Sequence, residues 1–213
     1  MTSPRPGSTP GAPSPTASAT TAGGVVAPPV PLVNIANALT VVRLVLVPVF
    51  LVVLFVDGGQ SAAWRWAAFA VFAIASLTDT FDGDLARRWG LVTDFGKIAD
   101  PIADKALTGS ALVGLSLLGE LGWWVTVTIA AREVGVTLLR FWVLRHGVIP
   151  ASRGGKIKTV LQTVALGLAI MPLPTWLDPA VAVLMVAAVV VTVVTGVDYL
   201  VRALRLRARG RAT

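Results

Sequence analysis

Six long apolar runs divide the chain, and its polar residues gather mainly between them. The runs extend from about Ile35 to Val56, Ala62 to Trp89, Ile98 to Leu118, Leu121 to Val143, Thr159 to Leu173 and Ala180 to Val201. They are continuously apolar rather than alternating with period two, so helices are predicted and a closed β-barrel is a poor fit. About 20 apolar residues carry a helix across a bilayer, and several runs reach that length. The fifth is short. The third qualifies only if its charges face protein or water. The expected fold is an all-α integral membrane protein with six transmembrane helices.

Ahead of the first run the pattern stops. Residues 1–30 are mostly Pro, Gly, Ser, Thr and Ala without periodicity, which reads as a disordered tail. That stretch lacks the apolar core of a signal peptide. The six-helix domain is expected over 31–205, with a basic tail over 206–213.

Charge then orients the bundle. With the N-terminus inside, the outer connections are "DGGQSA", "GE" and "MPLPTWLDP", and none contains Lys or Arg. The inner ones hold Arg87, Arg88 and Lys97, then Arg145, Arg153, Lys156 and Lys158, and the C-terminal stretch from Arg202 to Arg211 adds five more arginines. This asymmetry puts both termini in the cytoplasm. The expected location is the cell membrane, multi-pass.

Composition agrees. The chain is 55% hydrophobic and 14% charged, against about 25% charged in a soluble domain. Cysteine is absent, which removes disulfides and thiolate metal sites. The formal charge of +7 reads as cytoplasmic arginine meeting anionic lipid. No nucleic-acid-binding motif is present, so no nucleic-acid partner is expected.

Against this background one stretch stands out. "LTDTFDGDLARRWGLVTDFGKIADPIADKA", residues 77–106, holds six aspartates at the inner ends of the second and third runs. Asp79 and Asp82 are three apart, and Asp100 and Asp104 four apart, so each pair shares a helix face. Two antiparallel helices joined by a short turn can bring four carboxylates together. Uncompensated, they would repel and take up protons. A hard divalent cation, Mg²⁺ or Mn²⁺, is the simplest compensation, since its preferred ligands are oxygens. Two such ions bridging carboxylates fit a phosphoryl-type substrate. Glycine beside these acids lets a phosphate approach the backbone, and Arg87 offers a planar phosphate fork.

The string Asp79-x2-Asp82-Gly83-x2-Ala86-Arg87-x8-Gly96-x3-Asp100-x3-Asp104 resembles the signature of the CDP-alcohol phosphotransferases at every fixed position. The resemblance implies that Asp79, Asp82 and Asp100 bind divalent metal, and that Asp104 is the general base and joins them as a ligand. It implies that Gly83, Ala86, Arg87 and Gly96 line the CDP pocket. It also implies a homodimer and an active site on the cytoplasmic face. Asp84, an extra acid at a variable position, receives no role.

The acceptor alcohol is the remaining question. Arg132 lies inside the fourth run with Glu133 beside it, either as part of an anion site or as an internal Arg–acid pair. "SRGGKIKTVLQ" opens the fifth helix with Arg153, Lys156 and Lys158, either as a helix-start anion site or as positive-inside anchoring. Together they suggest an acceptor that carries phosphate. "NALTVVR", "DPIADK", "REVGVTLLR" and "GKIKT" resemble the branch of the family that joins CDP-diacylglycerol to sn-glycerol 3-phosphate. On that resemblance Asn37, Thr40 and Arg43 belong to the lipid-nucleotide site. Inositol phosphate and phosphatidylglycerol are alternative acceptors. A divalent-cation transporter is a distant alternative. It would need acids reaching the membrane midplane, whereas these cluster at the inner end.

Overall fold

The computed structural model describes residues 35–89, 93–143 and 153–209; within these, the side chains of 36, 79–89, 94–95, 97–98, 140–143, 153–154 and 206–209 are not described. Residues 1–34 and 210–213 lie outside the described residues, and with them the whole tail expected over 1–30 and the last four residues of the one expected over 206–213. The described residues form six α-helices and no strand: α1 (Ile35–Phe55), α2 (Ala62–Trp89), α3 (Asp94–Leu117), α4 (Trp123–Val143), α5 (Arg153–Ile170) and α6 (Asp178–Arg209). Short 3-10 turns, Val56–Gly59 and Thr175–Leu177, help close the α1–α2 and α5–α6 connections.

Three helices follow the apolar runs closely, and three depart from them. α3 begins at Asp94 rather than near Ile98, because Thr93 caps it and draws the polar "DFGK" turn into the helix. α5 begins six residues earlier than the apolar run, at Arg153. α6 continues to Arg209, since Arg, Ala and Leu are good helix formers.

Packing gathers on a central seam. α1 lies against α2 and α3, and α6 lies against α4 and α5. Phe50, Leu54, Phe72, Leu112, Leu115, Ile129, Leu166, Ile170 and Met185 form the core. The α1–α3 crossing depends on a small residue: a Cβ on Gly114 would stand 2.7 Å from Leu54 Cδ2. The buried hydroxyls of Ser116 and Thr126 share a 2.7 Å hydrogen bond between α3 and α4.

The outside of the bundle is also apolar. Val52, Val127, Val160, Val183 and Val194 each leave about 60% or more of their surface exposed, a pattern foreign to a water-facing surface. Two stretches, Asn37–Gly59 and Thr175–Arg205, are long and apolar enough to cross a membrane, and Ala62–Thr78 is a shorter apolar helix.

One end of the bundle is locked by Arg65 near the start of α2. Its guanidinium forms a bidentate pair with Glu120, at 2.7 and 2.6 Å. It also donates to the last carbonyls of α5, Ile170 O at 2.8 Å and Ala169 O at 2.7 Å. These carbonyls have no partner within the helix, and the arginine supplies one.

Candidate active site

The candidate site lies at the opposite end. α1 presents Asn37, Thr40 and Arg43 at intervals of three, and all three are buried. Such a polar stripe inside an apolar bundle has to find partners. The Thr93 hydroxyl donates to Asn37 Oδ1 at 2.7 Å and accepts from Gly96 N at 3.1 Å. One hydroxyl therefore caps α3 and ties it to α1. The Thr40 hydroxyl donates to Asp100 Oδ1.

Gly96 sits inside this junction. A Cβ there would lie 3.1 Å from Asn37 Oδ1 and 3.3 Å from Thr93 Oγ1. The glycine of the signature thus permits the close approach of α1 to α3, whatever it offers a nucleotide. Pro101, directly after Asp100, has no amide hydrogen to give the carbonyl four residues earlier, which loosens the helix beside the carboxylate.

Asp104, one turn further along α3, lines a cavity of about 370 Å³. Arg43 and Ser76 contribute from α1 and α2, Thr108 from α3, and Thr159 and Thr163 from α5. Phe72, Leu77, Leu107 and Val164 supply the apolar part of the wall. The four hydroxyls were not anticipated from sequence. Thr and Ser within apolar runs give no periodic signal, and only the packing of α2, α3 and α5 unites them. Thr93 had a signal, a capping residue directly before a helix.

Basic residues form a second group on the neighbouring helices. Glu133 of α4 accepts from Lys105 of α3 through Oε2 at 2.9 Å. Its Oε1 accepts from Arg132 at 3.0 Å and from Lys158 of α5. Arg132 also reaches α6, donating to Thr192 O at 3.2 Å and Thr195 Oγ1 at 3.0 Å. Of the two readings of Arg132, the internal pair is the one the geometry displays. Lys156 is exposed on α5.

Asp79, Asp82, Gly83, Ala86 and Arg87 fall on the last three turns of α2, but their side chains lie outside those described, as does that of Arg153. Among the described residues no three acidic, histidine or cysteine side chains converge on one point. Of the signature aspartates only Asp100 and Asp104 have described side chains, one turn apart on α3. The donors the signature offers are carboxylate oxygens alone, a set that fits a hard divalent cation.

These features define a class, a helical enzyme with its site at one end of an apolar-surfaced bundle. The profile of the CDP-alcohol phosphatidyltransferase family matches residues 33–194, and the chain belongs to that family. It is 59% identical over 174 residues to a "Probable phosphatidylglycerophosphate synthase" of Mycobacterium tuberculosis, covering 82% of this chain and 83% of that protein. It is 37% identical to the "CDP-diacylglycerol--glycerol-3-phosphate 3-phosphatidyltransferase" of Escherichia coli K12, over 78% of this chain and 93% of that one. The protein of the same name in Shigella sonnei is similar to the same degree.

Proposed function

We propose that this protein transfers the phosphatidyl group of CDP-diacylglycerol to sn-glycerol 3-phosphate, yielding phosphatidylglycerophosphate and CMP in phospholipid synthesis. The observation that carries the reading is the complete aspartate signature in a chain 59% identical to a protein named for that product.

The chemistry follows from the residues. Asp104 accepts the proton of an acceptor hydroxyl, whose oxygen bonds to the lipid-bearing phosphorus. The bond from that phosphorus to the CMP oxygen breaks, and CMP departs with the electron pair. Asp79, Asp82 and Asp100, with Asp104, would hold one or two Mg²⁺ or Mn²⁺ ions, which when bound neutralise the pyrophosphate charge. Thr40 fixes the Asp100 carboxylate by its hydrogen bond. Gly83, Ala86 and Arg87 would receive the CDP moiety.

All six helices cross the membrane on this reading, with both termini and the site on the cytoplasmic side of the cell membrane. The apolar exterior supports that placement, as does the absence of Lys and Arg from the three outer connections. Acyl chains then stay in lipid while the nucleotide remains in water. A second copy of the chain is the expected partner.

The test is CMP release by purified protein in detergent with CDP-diacylglycerol and Mg²⁺ or Mn²⁺. Glycerol 3-phosphate, inositol 1-phosphate and phosphatidylglycerol are compared as acceptors, with Asp104→Asn as control. Release with glycerol 3-phosphate alone, lost in the variant, is expected. Release with another acceptor only would retain the mechanism and change the product. Release with none would remove the reading.

A further inference from the structure

The cavity beside Asp104 continues from that carboxylate toward the middle of the bundle. Thr108 stands one turn further along α3, about 6 Å by helix rise, and Thr163 stands one turn beyond Thr159 on α5. Phe72 and Leu77 of α2, Leu107 of α3, and Val160 and Val164 of α5 make the walls apolar. Leu77 and Val160 are 57% and 64% exposed, so the cavity borders the apolar exterior between α2 and α5. The charged residues among its described lining are Arg43 and Asp104.

The threonines of this cavity do not behave alike. A helical threonine often returns its hydroxyl hydrogen to the carbonyl one turn back. Thr78, Thr128, Thr137, Thr159 and Thr195 all do so. Thr108 and Thr163 do not, and among the described residues neither makes any hydrogen bond. Both line the cavity, one from α3 and one from α5. Each therefore keeps an O–H donor at an otherwise apolar wall. A hydroxyl held there without an acceptor is costly, so the cavity suits an occupant that is mainly apolar and brings uncharged acceptors.

We propose that Thr108 and Thr163 donate to the ester carbonyls of the diacylglycerol and so make the enzyme select ester-linked over ether-linked CDP-lipid. The ester groups follow the lipid phosphate by a few bonds, as the two hydroxyls follow Asp104 by about one helical turn. The acyl chains leave past Leu77 and Val160 into the bilayer. An ether-linked lipid lacks both carbonyls and leaves the two hydroxyls unpaired, and a site built around such hydrogen bonds rejects the analogue that lacks them. The hydroxyls of a soluble acceptor are the competing partner. The apolar walls and the opening toward the exterior favour the lipid. This rests on the CDP-diacylglycerol reading above and adds to it two residues that the sequence did not single out.

Initial rates of CMP release by the full chain in detergent test it, with glycerol 3-phosphate and Mg²⁺ or Mn²⁺ present. CDP-diacylglycerol is compared with CDP-dialkylglycerol of the same chain length and configuration. Wild type is expected to show a KM about ten- to hundred-fold lower for the ester donor, about three- to ten-fold for each hydrogen bond. Thr108→Val combined with Thr163→Val raises KM for the ester donor by the same factor. It leaves KM for the ether donor unchanged, which also shows that the variant folds. Serine at both positions restores the preference. Equal KM values for the two donors in wild type overturn the assignment, as does a double-valine variant that keeps the preference. A double-valine variant that raises KM for glycerol 3-phosphate alone also overturns it, and gives the hydroxyls to the acceptor. CMP release from neither donor would instead overturn the reaction proposed above, and the ester contact with it.

Discussion

The Thr40 hydroxyl of α1 donates to the Asp100 carboxylate of α3 across sixty positions of sequence. The bond engages Oδ1 and orients the carboxylate, which on the proposed reading would help to hold a divalent cation. Outer partners of this kind orient metal ligands, and their loss typically costs about 10- to 100-fold in metal affinity. Thr40→Val should therefore weaken Mn²⁺ binding by about that factor, with Thr40→Ser close to wild type. Direct Mn²⁺ titration by electron paramagnetic resonance checks this independently of turnover. Equal affinity in Thr40→Val would assign the hydroxyl a packing role.

Gly96 has no room for a methyl group. Asn37 Oδ1, 3.1 Å from the hypothetical Cβ, is held by Thr93 and cannot retreat without breaking that bond. Thr93 is also the cap of α3, so the disturbance reaches the helix start. Gly96→Ala should gain up to about 1 kcal/mol of helix propensity and lose about 1–3 kcal/mol through overpacking. A net drop in the thermal midpoint in detergent is expected, with CMP release reduced along with it. A raised midpoint would show that the α1–α3 junction yields more readily than its hydrogen bonds indicate.

The sequence disclosed the helices well and the site unevenly. Apolar runs bounded by Gly, Pro and Asp marked α1, α2, α4 and α6 within a few residues at most ends, because burial or lipid exposure of whole helices imposes continuous hydrophobicity. The start of α3 was misplaced, since "DFGK" is polar and only Thr93 identifies it as a first turn. Asp100 and Asp104 were legible through spacing along one helix. Their surroundings were not. The Thr40–Asp100 bond, the Thr93–Asn37 link and the Lys105–Glu133–Lys158 contacts each join different helices. Local periodicity carries no information about which polar residue of one helix will face another.

Arg65 separates stability from chemistry. It lies at the end of the bundle remote from Asp104 and holds Glu120 and two α5 carbonyls. Arg65→Met keeps much of the apolar stem and removes all four bonds. Glu120 is 36% exposed and can rehydrate, so the expected loss is about 2–3 kcal/mol rather than the full cost of a broken buried pair. Thermal unfolding in detergent should report it, while KM for both substrates at a permissive temperature stays near wild type. A selective change in either KM would mean that this end of the bundle communicates with the site.

Topology can be tested with little background, because the chain has no cysteine. Gln60, exposed in the α1–α2 connection, and Arg205, exposed near the end of α6, lie at opposite ends of the bundle. Each can be replaced singly by cysteine. If the arginine-free connections face outward, a membrane-impermeant maleimide applied to intact cells labels Gln60→Cys and spares Arg205→Cys until the membrane is opened. The opposite pattern would invert the bundle and carry Asp104 to the outer face, away from cytoplasmic CDP-lipid and glycerol 3-phosphate. Labelling of both positions in intact cells would mean that the two ends do not lie on opposite sides of the membrane, and the six-span reading would fall while the active-site geometry stood.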